Sequence, residues 1–304
     1  MITDLGIVER YLGIEIEQDP HDKSILLHQS AYIQQLLEKF GMENCSPKAT
    51  PMLRNLKLDP INAGNNLPPE ETTRYQSAVG GIMFLTTQTR PDIAFATSVL
   101  SRFLTKPQEA HQKALQHLLR YLRGTTKLGI KYTQGASPKL SLRGFTDSDH
   151  GGSVVTESRR STSGYIFYIE DCPISWTSNR QTTVATSSSE AEYIGQFNAG
   201  KEALWLKKFL SELGLQDVNN ELPVTILGDN QAAITLSKDP VSHSKSKHMD
   251  IKFHWQREKV ERNEIIYQYV PSNENIADIL TKPLANDQFI RLRNRIMFER
   301  KDSA

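Results

Sequence analysis

Leu140-Ser141-Leu142-Arg143-Gly144-Phe145-Thr146-Asp147 is the stretch that decides the fold, because alternating apolar residues lead a strand into a carboxylate at its end. Thr162–Ile169, rich in β-branched and aromatic residues, reads as a second strand. The turn residues Glu170-Asp171-Cys172-Pro173 return it toward a third, Ile174–Ser178. Gln181–Thr186 leads to a long helix over about Ser189–Leu213, closed by Gly214. A strand Val224–Leu227, helices Asn230–Ser237 and His248–Arg262, a strand Ile265–Val270 and a helix from about Asn273 complete the pattern. Three antiparallel strands, a long helix and then alternating strands and helices predict an α/β sheet covered by helices.

Four carboxylates fall at telling places on these elements. Asp147 ends a strand, Glu192 lies in the first turn of the long helix, Asp229 follows another strand, and Asp278 sits in a late short helix. Two divalent cations about 3.5–4 Å apart need several hard oxygen ligands converging on one point, an arrangement suited to in-line displacement at phosphodiesters. Each residue also has a plainer reading. Asp147 can be a turn residue, and its neighbour Asp149 competes as a ligand. Ser189-x-x-Glu192 and Ser187-x-x-Glu190 both fit a capping box. Asp229 or Asn230 can cap the next helix, and Asp278 can be solvated. The joint occurrence favours a cluster, and four like charges gathered together need cations.

The remainder of the chain reads differently. Tyr11–Ile16 and Ser24–His28 form a hairpin around Asp19-Pro20-His21-Asp22, and Ser30 caps a helix Ala31–Phe40 that stops at Gly41. Residues 47–69 carry five prolines and read as a connecting segment. Helices follow at about Tyr75–Thr87, Pro91–Leu104 and Glu109–Arg123, the last with a buried stripe of Ala114, Leu115, Leu118, Leu119 and Leu122. Gly135-Ala136-Ser137-Pro138 marks a boundary, giving domains 1–135 and 136–304.

A length of 304 residues suits two cores rather than one. A net charge of +1 means that any nucleic-acid footprint must be local. Such a footprint is expected between Lys238 and Arg262, where Lys245, Lys247, His248, Lys252 and Arg257 are the candidate phosphate contacts. His243, His248 and His254 read as part of a phosphate-facing loop rather than a zinc site, since no cysteine joins them. Cys45 and Cys172 support no disulfide framework, and the sequence has neither a membrane-length apolar run nor a signal-peptide pattern. An intracellular protein with no membrane partner and no small-molecule substrate is the expectation, placed in a cytoplasmic particle or the nucleus.

Several motifs carry a family resemblance. Phe145-Thr146-Asp147-Ser148-Asp149, Arg160-Ser161-Thr162-Ser163-Gly164-Tyr165, Ile174-Ser175-Trp176, Ser188-Ser189-Glu190-Ala191-Glu192-Tyr193, Gly228-Asp229-Asn230, Lys247-His248-Met249-Asp250 and Ala277-Asp278-x-x-Thr281-Lys282 resemble the ribonuclease H domain of copia-type LTR retrotransposon polyproteins. Asp4-Leu5-Gly6, Tyr11-Leu12-Gly13-Ile14, Thr89-Arg90-Pro91-Asp92-Ile93 and Leu119-Arg120-Tyr121-Leu122-x-Gly124-Thr125 resemble the end of the reverse transcriptase in the same polyproteins.

The resemblance implies a ribonuclease H-like mixed sheet with flanking helices, preceded by a mainly helical thumb and connection segment with a primer-grip hairpin. It implies that Asp147, Glu192, Asp229 and Asp278 are the catalytic, metal-binding set, choosing Asp147 over Asp149 and Glu192 over Glu190. Two Mg²⁺ ions, replaceable by Mn²⁺, would be the cofactors, and an RNA–DNA hybrid the partner, alongside other parts of the polyprotein. Asp147 would bridge the ions, and Glu192 or a polar neighbour would read the RNA 2′-hydroxyl. Three departures stand out. His150 replaces the usual Trp, no His directly precedes Asp278, and the chain contains no Asp-Asp dipeptide. The last departure removes the Tyr-x-Asp-Asp turn, so DNA polymerisation is not expected. The alternative expectation is a catalytically silent fragment that at most binds nucleic acid.

Overall fold

The structure, a computed structural model, describes residues 6–59, 63–134, 141–152, 154–155, 159–215, 222–238 and 247–300, apart from the side chains of 247–251 and 253. The readings placed on Asp4, Leu5, Pro60, the boundary segment Gly135–Pro138, Leu140, His243 and Lys245 lie outside the described residues, as do those on the side chains of Lys247 and His248. The chain divides into two compact units, Met1–Gln134 with Phe289–Ala304, and Gly135–Gln288. The last residues thus join the first unit, whereas the sequence pattern alone runs the second domain to residue 304.

In the first unit, β1 (Arg10–Tyr11), β2 (Ile14–Asp19), β3 (Ser24–His28) and β4 (Leu128–Thr133) form an antiparallel sheet. Four helices accompany it: α1 (Ser30–Lys39), α2 (Pro69–Gln88), α3 (Ala94–Ser101) and α4 (Glu109–Gly124). Several boundaries differ from expectation. Ser30 does not cap α1. Its hydroxyl is bound to His28 and the Thr126 carbonyl, while the Glu15 carboxylate accepts the Ala31 N–H at 2.9 Å. α2 begins six residues early because Pro69 suits a first helical position, and Glu70 and Glu71 favour a helix N-terminus. The helix expected from Pro91 opens instead as a 3-10 turn, Pro91–Ile93.

The Thr89-Arg90-Pro91-Asp92 and Arg120-Tyr121 motifs meet in the core of this unit. Arg90 and Asp92 are buried, and Arg90 Nε and Nη2 donate to the two Asp92 oxygens, each at 2.8 Å. The Arg90 guanidinium also reaches the Thr125 carbonyl and hydroxyl at 3.1 and 2.8 Å, and the Tyr121 hydroxyl donates to Asp92 at 2.6 Å. Burial opposes ionisation of both groups, yet the pairing wins, holding Arg90 above and Asp92 below their ordinary pKa. This motif therefore staples a core.

In the second unit, β5 (Leu142–Ser148), β6 (Thr162–Ile169), β7 (Cys172–Arg180), β8 (Val224–Gly228) and β9 (Ile265–Tyr269) make a sheet of order β7-β6-β5-β8-β9. β5, β6 and β7 pair antiparallel, and β8 pairs parallel to both β5 and β9. This is the mixed α/β, ribonuclease H-like arrangement expected. Helix α5 (Ser188–Glu212) lays Ala199, Ala203 and Leu206 against Phe167, Ile226 and Tyr267. The small residues let the helix lie close to the sheet. α6 (Gln231–Leu236) and α7 (Lys247–Glu261) follow β8, and the Gln256 amide donates to the Tyr193 carbonyl at 3.1 Å to tie α7 to α5. The helix expected from Asn273 is instead two 3-10 turns, Ser272–Glu274 and Ile276–Leu280. α8 (Asn286–Arg293) precedes β10 (Phe298–Glu299), which belongs to the first unit and pairs there with β4. Strands β4 and β10 have no counterpart among the elements expected from sequence.

Asp92→Asn should destabilise the first unit by about 3–5 kcal/mol, since it leaves the Arg90 charge buried without its partner. Urea unfolding of the full chain checks this, and a loss below about 1 kcal/mol, the scale of an exposed pair, would contradict it.

Candidate metal centre

The parallel pairing of β5 with β8 brings two carboxylates together. Phe145 is in register with Leu227, so two residues further on Asp147 and Asp229 stand side by side at the C-terminal ends of their strands. Asn230 caps α6, its Oδ1 accepting the Ala233 N–H at 2.9 Å, which frees Asp229 from that task. Asp149 is likewise engaged elsewhere, accepting the Thr162 N–H.

The third carboxylate arrives on the 3-10 turn Ile276–Leu280. Asn275, fully buried, anchors this turn by donating to the Thr146 carbonyl at 3.0 Å and capping Ala277 through Oδ1. Gly164 lies opposite Asp147 in the ladder, and a Cβ there would come within 2.6 Å of Leu280 Cβ. Close approach of turn and strand therefore requires glycine at 164. As a result one carboxylate oxygen each from Asp147, Asp229 and Asp278 lies within 4.8 Å of the others. Asp147 and Asp278 are buried and Asp229 is half-buried. The Thr281 hydroxyl donates to Asp147 Oδ2 and fixes its orientation.

Glu192 stands beside this trio rather than inside it. Ser187 caps α5 by accepting the Glu190 N–H at 3.1 Å, and the Glu190 carboxylate returns to the Thr186 N–H at 2.8 Å. Glu190 thus serves the helix end and leaves Glu192 free and buried. Gly195, one turn on, lets α5 touch β5, since a Cβ there would collide with Ser148 Oγ. Glu192 accepts the Ser148 N–H and feels the charges of Asp147 and Asp229. Burial and then these two charges push its carboxyl well above the ordinary range. Burial and Asp147 raise Asp278 to about 7, against the pull of Lys282.

The donor set is all hard oxygen, it is buried, and its members repel one another. That chemistry fits a Mg²⁺-like cation, which takes carboxylate oxygens. Sequence reasoning assigned no role to Asn275, Gln181, Thr281 or Lys282. Gln181 is buried and its amide donates to Ser163 Oγ and the Ala191 carbonyl, both at 2.8 Å, locking the exit of β7 to the start of α5. Only the position of Thr281 and Lys282 in the motif with Asp278 hinted at their place.

Part of the expected basic face is paired with acidic neighbours. Lys259 pairs with Glu264 at 3.1 Å and Arg262 with Glu258 at 2.9 Å. Arg257 hydrogen-bonds the Tyr193 hydroxyl. Lys252 and Lys201 both stand over the Phe197 ring, at 5.9 and 4.8 Å from its centroid, and burial with the Lys201 charge lowers the Lys252 pKa. His150 is exposed, Tyr165 packs edge-on against Phe167, and Trp176 lies within β7.

No family model matches the chain. The Retrovirus-related Pol polyprotein from transposon TNT 1-94 of Nicotiana tabacum is 39% identical over 95% of this chain and 21% of its own length. The corresponding polyprotein from transposon RE2 of Arabidopsis thaliana is 37% identical over 94% of this chain and 19% of its own length. The chain thus spans about a fifth of the curated relatives it matches. Among solved structures, LC11-RNase H1 isolated from compost is 19% identical, with 50% of this chain and 96% of that one covered and a TM-score of 0.34. No helix among the described residues is long and apolar enough to cross a membrane.

In EDTA the carboxylate cluster should make the folded chain less stable as pH rises, read as the Tm of wild type relative to Asp278→Asn. The comparison is needed because buried His111 and half-buried His117, held below their ordinary pKa, act in the opposite direction on both. Asp278 ionises near 7 when folded but near 3.8 when unfolded, so its contribution is whole below about 4 and gone above about 7. Glu192 acts in the same direction. Mg²⁺ at about 100 times its Kd should restore about 2.7 kcal/mol, several degrees of Tm, at pH 8 and far less at pH 4. A wild-type Tm in EDTA that does not fall relative to that of Asp278→Asn between pH 4 and 8 would contradict this.

Proposed function

We propose, since this chain belongs to the copia-type Pol polyprotein family of retrotransposons, that its second unit is a ribonuclease H acting on the RNA strand of RNA–DNA hybrids during reverse transcription. The observation that carries this reading is the convergence of Asp147, Asp229 and Asp278 within 4.8 Å, at the ends of two parallel strands. Two Mg²⁺ ions held there would activate a water and stabilise charge on the leaving 3′ oxygen.

The residues divide the remaining work. Asp147 is central, within 4.8 Å of Asp229 and Asp278 through its carboxylate, in contact with Thr281 and within the field of Glu192, so it is the proposed bridging ligand. Asp229 and Asp278 hold the two sides. Glu192, on the border of the trio, is proposed to complete the set, and it or a polar neighbour to read the 2′-hydroxyl. The rigid anchors Asn275 and Gln181 keep the carboxylates from spreading apart under their own repulsion. Lys252, beside Lys201, is the proposed phosphate contact; the wider polyprotein is the proposed partner.

Incubating the purified chain with a labelled RNA–DNA duplex tests the reading. Mg²⁺-dependent cleavage of the RNA strand is expected, and Asp229→Asn should reduce it by at least about 100-fold, beyond the usual cost of losing an outer partner. Duplex binding with no cleavage would mark the chain as catalytically silent and overturn the proposal. Lys252→Gln should leave cleavage chemistry intact while lowering the salt slope of hybrid binding by about one; an unchanged slope would remove Lys252 from the interface.

A further inference from the structure

Lys282 brings an ammonium group into the carboxylate cluster itself. Its Nζ lies 2.8 Å from Asp278 Oδ1 and 3.5 Å from Asp147 Oδ2. It stands four residues after Asp278, just past the 3-10 turn, so the segment that delivers the ligand also delivers the lysine. We propose that the Lys282 ammonium is the built-in counter-ion of the metal-free cluster, displaced when divalent cations enter, so that this lysine sets their affinity. The inference rests on the reading of the cluster as a divalent-cation centre and deepens it.

Three physical points support the assignment. The oxygens that Lys282 contacts belong to two of the three converging aspartates, and Asp147 Oδ2 is also held by the Thr281 hydroxyl. An ammonium there uses lone pairs that a cation needs, because Mg²⁺ requires carboxylate oxygens at about 2.0–2.1 Å. The lysine is also able to leave. A flexible four-carbon stem carries its charge, and the side chain is 33% exposed, so it can withdraw to water without unfolding the turn. Finally, the ammonium sits where the repulsion is: three aspartates converge here and Lys282 meets two of them, so its charge offsets part of theirs.

The consequence is a protein that folds around its carboxylates before any metal arrives. Without a cation, four acidic groups at this spacing would push the turn Ile276–Leu280 away from β5. The tethered lysine cancels part of that charge and keeps the cage assembled. The cost is competition, since each incoming ion must displace it. Lys282 is thus a positioning residue, acting on the ligands rather than on substrate.

Isothermal titration of Mg²⁺ into the full chain tests this, run on wild type, Lys282→Met and Lys282→Arg, with Tm in EDTA measured alongside. Removing a unit charge at contact distance should tighten Mg²⁺ binding by about tenfold or more. Lys282→Met should also melt lower in EDTA, while Lys282→Arg stays within about threefold of wild-type affinity because the charge remains. Mg²⁺ affinity unchanged or weaker in Lys282→Met would overturn the inference, as would Lys282→Arg binding as tightly as Lys282→Met. If Lys282→Met folds only when Mg²⁺ is present, the inference is supported. If it stays unfolded in saturating Mg²⁺, the inference fails, since the ions should replace the lost charge. A wild-type chain that binds no Mg²⁺ would instead sink the metal-centre reading itself.

Discussion

Like charges held a few ångströms apart inside a protein repel strongly, because water is not there to screen them. Asp147, Asp229 and Asp278 are held under that condition by covalent and packing constraints that none of them can relax. The parallel register of β5 and β8 fixes the first pair. The Asn275 anchor and the Gly164 contact fix the third. Gly195 brings α5, and with it Glu192, against the same strand. Burial first, and then the neighbouring carboxylates, raise the pKa of Glu192 and of Asp278. Positive charge relieves the repulsion, and the chain supplies one ammonium for four carboxylates. The remaining imbalance is what the proposed binding of cations would relieve.

The first unit shows the opposite solution to a similar problem. Arg90 and Asp92 are as deeply buried as the aspartates of the cluster, yet each finds its full complement of partners within the fold. Nothing there asks for an external ion. Two motifs that look alike as short charged signatures therefore have different physical meanings. One is closed and structural, because donors and acceptors balance. The other is open and chemical, because acceptors outnumber donors.

Much of this was legible before the structure. Strands β5, β6, β8 and β9 were legible as strands, and α5 showed its length and its closing Gly214. The alternatives at Glu190 and Glu192, and at Asp229 and Asn230, were resolved by which side chain reaches a backbone N–H, something spacing cannot distinguish. Strand β10 was invisible because it is only two residues long, and β4 because it pairs only with segments far away in sequence, β3 and Phe298–Glu299. The 3-10 turns at Ser272–Glu274 and Ile276–Leu280 share apolar spacing with a helix, and the difference arises from the Asn275 anchor. Lysines and arginines in Lys238–Arg262 looked like one basic face, but Lys259 and Arg262 face nearby glutamates. Lys282 stood out only as part of the motif with Asp278, since no local rule says that its ammonium turns back onto the acidic cluster.

The most direct measurement is the anomalous difference map of a crystal of the full chain soaked in Mn²⁺. If the carboxylates form a cation cage, density should appear at coordination distance from oxygens of Asp147, Asp229 and Asp278, with the Lys282 ammonium moved away. Mn²⁺ absent from these oxygens at saturating concentration, with Lys282 still seated on Asp278, would contradict the account.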